Sequence, residues 1–482
     1  MDRAVNKGAV LVIIALSSFL PPFAISSINI ALPSIAKEFA MDAISQGWVS
    51  ITYLLTSAML LIPLGRFADI HGRKKMFIFG TAVFTVSSFL LAISTSTALF
   101  ISFRVLQGIG SAMLFGTGVA ILTSVFHSGE KGKALGINTA AVYLGLSLGP
   151  VIGGFLTEQF GWRSIFLLNV PSGLTMICLM HWRLKGEWAD SKGEKFDLIG
   201  SMIYCFMLVA IMYGFSSLST SKFGLGSETL QEILFNMTGP WLIPVGVVAI
   251  LAFVKWETKV TSPILNIHIF RNNTVFAFSN LAALINYSAT NAVTFLLSLY
   301  LQYIKGFSPQ SAGLVLLSQP VMQAIFSPLA GRLSDKIEAR IISSAGMTCT
   351  AIGLSCLAFL NSVTPLEFIV TSLILLGFGF ALFSSPNTNA VMSSVEKRFY
   401  GVASGTIATM RHIGQMMSMI IATTMFAIYI GETQITPEYY PLFLISAQTA
   451  FKIFAALCFT GIFASLARGN ASLNKQNLGN AA

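Results

Sequence analysis

Fourteen apolar runs, each about long enough to cross a bilayer, constrain this chain more than any other feature. They fall near 9–31, 46–64, 76–95, 98–123, 134–156, 164–183, 197–217, 239–256, 274–301, 311–330, 340–360, 366–386, 401–428 and 446–467. Lipid offers no partner to a backbone N–H or C=O, so each run must be a helix. Composition agrees. Of the 482 residues, 54% are hydrophobic and 10% charged, against about 25% charged in a soluble domain. The expected fold class is an all-α polytopic membrane protein with 14 transmembrane helices. The first run is too long for the apolar part of a cleavable signal and counts as a span.

Charge supports the count. With both termini cytoplasmic, the inner segments hold 22 of the 29 Lys/Arg and the outer loops hold four, Lys37, Arg163, Lys222 and Lys305. Three more lie within spans: Arg104, Arg411 and Lys452. Positive loops resist translocation, so this segregation sets the orientation, and one missed span would scramble it. The net charge of +10 reflects that bias and points to lipid headgroups, not to nucleic acid. The five cysteines, Cys178, Cys205, Cys349, Cys356 and Cys458, all sit in apolar runs and read as small buried hydrophobes.

A short charged segment, GRFADIHGRKK at Gly65–Lys75, separates spans 2 and 3. It reads as a tight turn in which Gly65 and Gly72 avoid side-chain collisions. Asp69 is its lone carboxylate, beside Arg66 and Arg73. PLGRFAD at Pro63–Asp69 is echoed by PLAGRLSDK at Pro328–Lys336, with Gly65, Arg66 and Asp69 set against Gly331, Arg332 and Asp335 at one constant offset. Such a repeat marks a transporter built from two like halves. The expected organisation is a six-helix bundle over residues 1–185, a linker with two extra spans over 186–260, and a second bundle with a short cytoplasmic tail over 261–482.

Span 5 carries GLSLGPVIGG, Gly145–Gly154. Gly145, Gly149 and Gly153 recur every four residues and line one helical face, which permits close backbone approach. Pro150 removes a hydrogen bond and permits a bend. With Gly154 these residues read as a hinge for an outer gate, or as close helix packing. Span 4 carries Arg104, costly in an apolar run, which should face a cavity or a partner. Substrate binding or coupling is one role for it, and a structural hydrogen bond to backbone carbonyls is the other. No G-x-x-x-x-G-K-[ST] segment and no His/Cys/carboxylate cluster with ligand spacing occurs, so the sequence predicts neither ATP nor metal nor another cofactor, and no enzyme.

These segments carry a resemblance. GRFADIHGRKK resembles the cytoplasmic signature of the major facilitator superfamily, with Gly65, Asp69, Gly72 and Arg73 at its fixed points. RVLQGIG at Arg104–Gly110, including Gln107, resembles its fourth-helix motif, and GLSLGPVIGG the fifth-helix motif of its antiporters. INIALPSIA (Ile28–Ala36), GWRSIFLLNVPSG (Gly161–Gly173) and RHIGQMMSMIIA (Arg411–Ala422) resemble the fourteen-span drug:proton antiporter group. The resemblance implies alternating access by two rocking bundles. It also implies that Asp69 docks against the start of span 13, near Tyr400–Gly401, where the helix dipole favours a carboxylate.

One departure stands out. The group usually has an aspartate five residues before the Asn of its N-x-A-L-P segment, and here that position is Ala24. All 19 Asp/Glu fall in loops or at span ends. A mid-membrane carboxylate is the usual proton carrier and cation partner. What is left inside is polar and positive. The candidates for substrate or coupling are Asn29, Arg104, Gln107, Gln319, Asn387, Arg411 and His412, with Asn286, Asn291, Gln302, Gln323, Asn389 and Gln415 at similar depth. The expected function is secondary active efflux of amphiphilic small molecules from the cytoplasmic membrane by a monomer, coupled to H+ as an antiport. Export or facilitation of an anionic or neutral metabolite is the alternative that Ala24 favours. A sensor without transport is the third reading.

Overall fold

The computed structural model describes residues 7–126, 130–183, 187–188, 193–220, 239, 241–265, 267, 270, 273–334, 336–395 and 400–469. Among them no strand occurs. The helices are α1 (Lys7–Phe39), α2 (Ala43–His71), α3 (Arg73–Ala92), α4 (Thr97–Val125), α5 (Lys131–Phe160), α6 (Arg163–Arg183), α7 (Leu198–Thr220) and α8 (Leu242–Glu257). Then come α9 (Thr274–Ile304) and α10 (Pro309–Leu333), followed by α11 (Ala339–Leu357), α12 (Leu366–Ser393), α13 (Tyr400–Tyr429) and α14 (Tyr440–Ala467). Each expected span thus meets one helix, of which α8 is the shortest at 16 residues. The stretch 221–238, expected in an outer loop, lies outside the described residues.

Helices α1–α6 pack chiefly on one another, α1 on α5 and α3 on α4 most extensively, and α9–α14 do the same, α11 on α12 and α10 on α12. The hairpin α7–α8 leans on α2 and α13, one helix from each group. There Tyr204 donates to the Ala58 carbonyl at 3.3 Å and Cys205 to that of Met59 at 3.2 Å. We call the end that holds the α2–α3 turn the basic end.

Two expectations are corrected. Gly65 is not in the turn: α2 continues to His71, and Gly65 lies against Gly116 of α4, where a Cβ on Gly116 would come within 3.2 Å of the Gly65 backbone. No proline or positive φ interrupts residues 66–71, so the helix runs on to Gly72, whose φ of 121° suits a residue without a side chain. The cysteines are not all buried. Cys458 is, but Cys178 is exposed and the other three are intermediate. In a bilayer the outward face of a helix is apolar too, so an apolar run does not imply an interior position.

Candidate functional site

Near the midpoints of the helices the two groups leave a cavity. It is lined by Ser26 of α1, Pro150 of α5, Tyr287, Thr290 and Asn291 of α9, Gln319 and Gln323 of α10, Phe380 of α12 and Gln415 of α13, among others. Among the described residues no Asp or Glu lines it. The lining is amide, hydroxyl and aromatic, with Tyr287 and Phe380 edge to face at 5.4 Å between centroids. Two amide atoms, Gln323 Nε2 and Gln415 Oε1, are buried without a hydrogen-bond partner. The cavity holds about 80 Å³, well under the roughly 300–1,000 Å³ of ordinary ligand pockets. The bundles must part to admit a drug-sized molecule.

The contacts between bundles show which end is shut. At the end away from the basic one, Ser298 donates to the Asn29 carbonyl at 2.6 Å, Gln302 to that of Ile30 at 3.0 Å, and the Gln310 amide to Glu158 at 3.1 Å. Ala43 N–H reaches the Thr433 carbonyl at 2.9 Å. Toward the basic end Tyr143 and Ser384 share a hydrogen bond at 2.7 Å, and Phe115 meets His412 at 5.3 Å.

The glycine face of α5 divides its work. Gly145, Gly149 and Gly153 lie against α1, where a Cβ would come within 2.5, 2.5 and 2.7 Å of Phe19 O, Ser26 Cβ and Ser27 Cβ. Gly154 lies instead against Pro309 of α10, and Pro150 against Gly313. Close packing within one bundle and contact between bundles therefore share one motif.

The candidate residues separate by position. Gln319 lines the cavity. Arg104 is fully buried inside the first bundle: it donates to the Val49 carbonyl at 3.0 Å and to Gln107 at 2.5 Å, and it lies over the Tyr53 ring at 4.4 Å. Gln107 in turn donates to Ser88. Of the two roles open to Arg104, its contacts are those of a structural charge. The Asn29 side chain accepts from Ser50 at 3.4 Å. Asn387 donates to the Ser279 carbonyl and accepts from Arg468 at 3.0 Å. Arg468 is 1% exposed and escaped the sequence reading because it lies beyond the last apolar run. Arg411 lies over the ring of Tyr287 at 5.4 Å. His412 is buried with Nδ1 unpartnered. The aromatic residues Tyr143, Tyr287 and Phe380 were also missed, since an aromatic in an apolar run gives no sign of which side it faces.

Around the α2–α3 turn, Arg66 pairs with Glu194 at 2.5 Å. Arg73 donates to Asp69 at 2.6 Å and to Ser124 of α4 at 2.6 Å. Asp69 is thus engaged within its own bundle while the far end is shut. The side chains of Tyr400 and Gly401, and all of Asp335, lie outside the described residues. Asp69→Asn is expected to lower transport about ten-fold or more at unchanged membrane level, since it removes a charge-assisted bond of roughly 1.5–3 kcal/mol. Flux and immunoblot of the same membranes check it, and parental flux would refute it.

The chain matches the family model described as Major Facilitator Superfamily over residues 14–268 and 280–481. It is 30% identical over 460 residues to the riboflavin transporter RibZ of Clostridioides difficile, covering 95% of this chain and 96% of that one. It is 32% identical over 419 residues to the cephamycin export protein CmcT of Amycolatopsis lactamdurans, covering 86% and 84%. Among solved structures, it is similar to a bacterial homologue of the human lysosomal transporter Spinster in an inward-facing, unoccupied conformation. There the TM-score is 0.65 at 14% identity, covering 97% of this chain and 98% of that one.

Proposed function

Because the chain belongs to the Major Facilitator Superfamily, and is a multi-pass membrane transporter, we infer that it exports an uncharged or anionic amphiphilic small molecule by alternating access. The observation that carries this reading is the lining of the central cavity: amides, hydroxyls and aromatic rings, with no carboxylate among the described residues. A cationic drug brought there would lose its hydration and find no opposite charge. A planar molecule edged with carbonyl and N–H groups would find Gln319, Gln323, Asn291 and Gln415 for its polar rim and Tyr287 and Phe380 for its rings. RibZ and CmcT, named for a riboflavin transporter and a cephamycin exporter, support this substrate class. The basic end is taken as cytoplasmic, as the positive-inside bias requires, so the arrangement described here is closed to the outside.

A cavity without Asp or Glu has no proton carrier of the usual kind. The drive assigned here is the substrate's own gradient, not the proton antiport that the fourteen-span resemblance implies. One observation favours antiport as a second reading: His412 is buried beside Phe115 with an unpartnered ring nitrogen. Riboflavin uptake into inverted membrane vesicles separates the two. Uptake above that of vesicles lacking the protein is expected, within about two-fold with or without nigericin to collapse the pH gradient. Loss of uptake on adding nigericin would establish antiport, and no uptake of riboflavin or any anionic probe would remove the substrate reading.

A further inference from the structure

The cavity is electrically asymmetric. Arg411 and Gln415 stand four residues apart on α13 and so share a helical face. Gln415 lines the cavity, and Arg411 lies one turn nearer the basic end. Tyr287 belongs to both, lining the cavity while its ring carries the Arg411 guanidinium at 5.4 Å. Tyr143 and Tyr287 are the titratable neighbours of Arg411, and His412 is adjacent in sequence. Among the described residues no carboxylate pairs with Arg411, and its Nε is buried without an acceptor. A buried Arg normally has an anionic partner or a full set of carbonyls. Arg104 and Arg468 donate to the backbone carbonyls of Val49 and Ala339, although each also keeps one buried nitrogen, Nη2 and Nε respectively, without an acceptor. Arg411 differs in its place, over a ring that itself lines the cavity.

We propose that Arg411 is the charge-selecting residue of the cavity, held over Tyr287 with donors left for the negatively charged group of an anionic, planar substrate. The proposal rests on the cavity being the substrate site and adds the rule by which it chooses. A carboxylate or similar oxyanion placed against Gln415 and Tyr287 reaches the guanidinium and replaces the missing acceptor. A cation placed there meets like charge in a low-dielectric site and is rejected. The Tyr143–Ser384 bond joins the bundles close by. Neutralising Arg411 with a substrate anion therefore bears on the seam that must open toward the basic end.

Three fluorescent probes with planar ring systems test this in inverted vesicles: fluorescein as the anion, riboflavin as the neutral molecule, ethidium as the cation. The parent protein is expected to move fluorescein and riboflavin and to leave ethidium outside. Arg411→Gln should lower fluorescein flux at least about ten-fold while riboflavin flux stays within about two-fold, a split that misfolding cannot produce. Arg411→Lys, which keeps the charge, should restore most of the fluorescein flux. If the parent moves riboflavin but not fluorescein, or if Arg411→Gln changes both probes by the same factor, charge selection by Arg411 is overturned and the transporter reading stands. If the parent moves neither probe, the substrate reading fails and charge selection fails with it.

Discussion

Gly313→Leu is expected to abolish transport while leaving the protein folded in the membrane. A Cβ at Gly313 of α10 would sit 2.2 Å from the Pro150 carbonyl oxygen of α5. That obstacle is backbone, so no rotamer change relieves it. The two atoms belong to different bundles and meet only where the end away from the basic one is shut. The substitution therefore acts on one state of the cycle and spares the other, unlike a change inside a bundle. Overpacking costs ~1–3 kcal/mol, which moves a two-state equilibrium roughly five- to 150-fold, and leucine should reach the upper part of that range. Gly154→Ala, against the Pro309 carbonyl at 2.5 Å, should act in the same sense with a smaller effect. Riboflavin flux measures the loss, and a thermal melt in detergent checks the fold. A cysteine placed at Ser26, which lines the cavity, reports the state. With Gly313→Leu it should react faster with an impermeant maleimide added from the non-basic side. Parental flux in Gly313→Leu, or unchanged labelling, would show that this contact is not part of the gate.

Ala24→Asp is expected to destabilise the protein, not to convert it into an exporter of cationic drugs. The fourteen-span resemblance places an aspartate at this position, which makes the substitution look like a restoration. The structure places Ala24 in the packed interior at 1% exposure, among Phe23, Ile28 and the rest of the apolar cluster, and not in the cavity lining. A carboxylate there would be unpaired and cut off from water. It would cost several kcal/mol as an anion, or persist only as the neutral acid. A lowered membrane level and a fall of several degrees in melting temperature are the expected results, with ethidium flux unchanged from background. Ethidium export by a stable Ala24→Asp protein would show that position 24 reaches substrate in another state of the cycle.

The spans were legible because lipid allows a crossing segment one solution. A run of apolar residues near the bilayer length has to be helical, so the number and order of the helices follow from hydropathy alone. α8 shows the limit of that rule. It is 16 residues long, yet its apolar run marked it as a span. The repeated G-R-x-x-D segment, Gly65–Asp69 and Gly331–Asp335, was likewise legible in sequence as a sign of two like groups of helices.

Facing was not legible. In a soluble helix the polar face marks the outside, but here lipid and core are both apolar, so Cys178 and Cys458 stand in similar runs and face opposite ways. For the same reason Asn387, Asn29 and Gln107 looked like cavity residues, while the structure spends them on Arg468, Ser50 and Arg104. The amides that do line the cavity, Gln319, Gln323, Asn291 and Gln415, carry no mark in sequence that separates them from those. The glycine face of α5 was legible as a close-contact surface. Which glycine touches which bundle was not, because a period of four residues selects a face of one helix and says nothing about the neighbour across from it. What the sequence by itself determined was the helix count, the segregation of positive charge and the lack of a carboxylate at depth. Only tertiary structure decided which polar groups converge on one space, because that depends on how helices distant in the chain are rotated against each other.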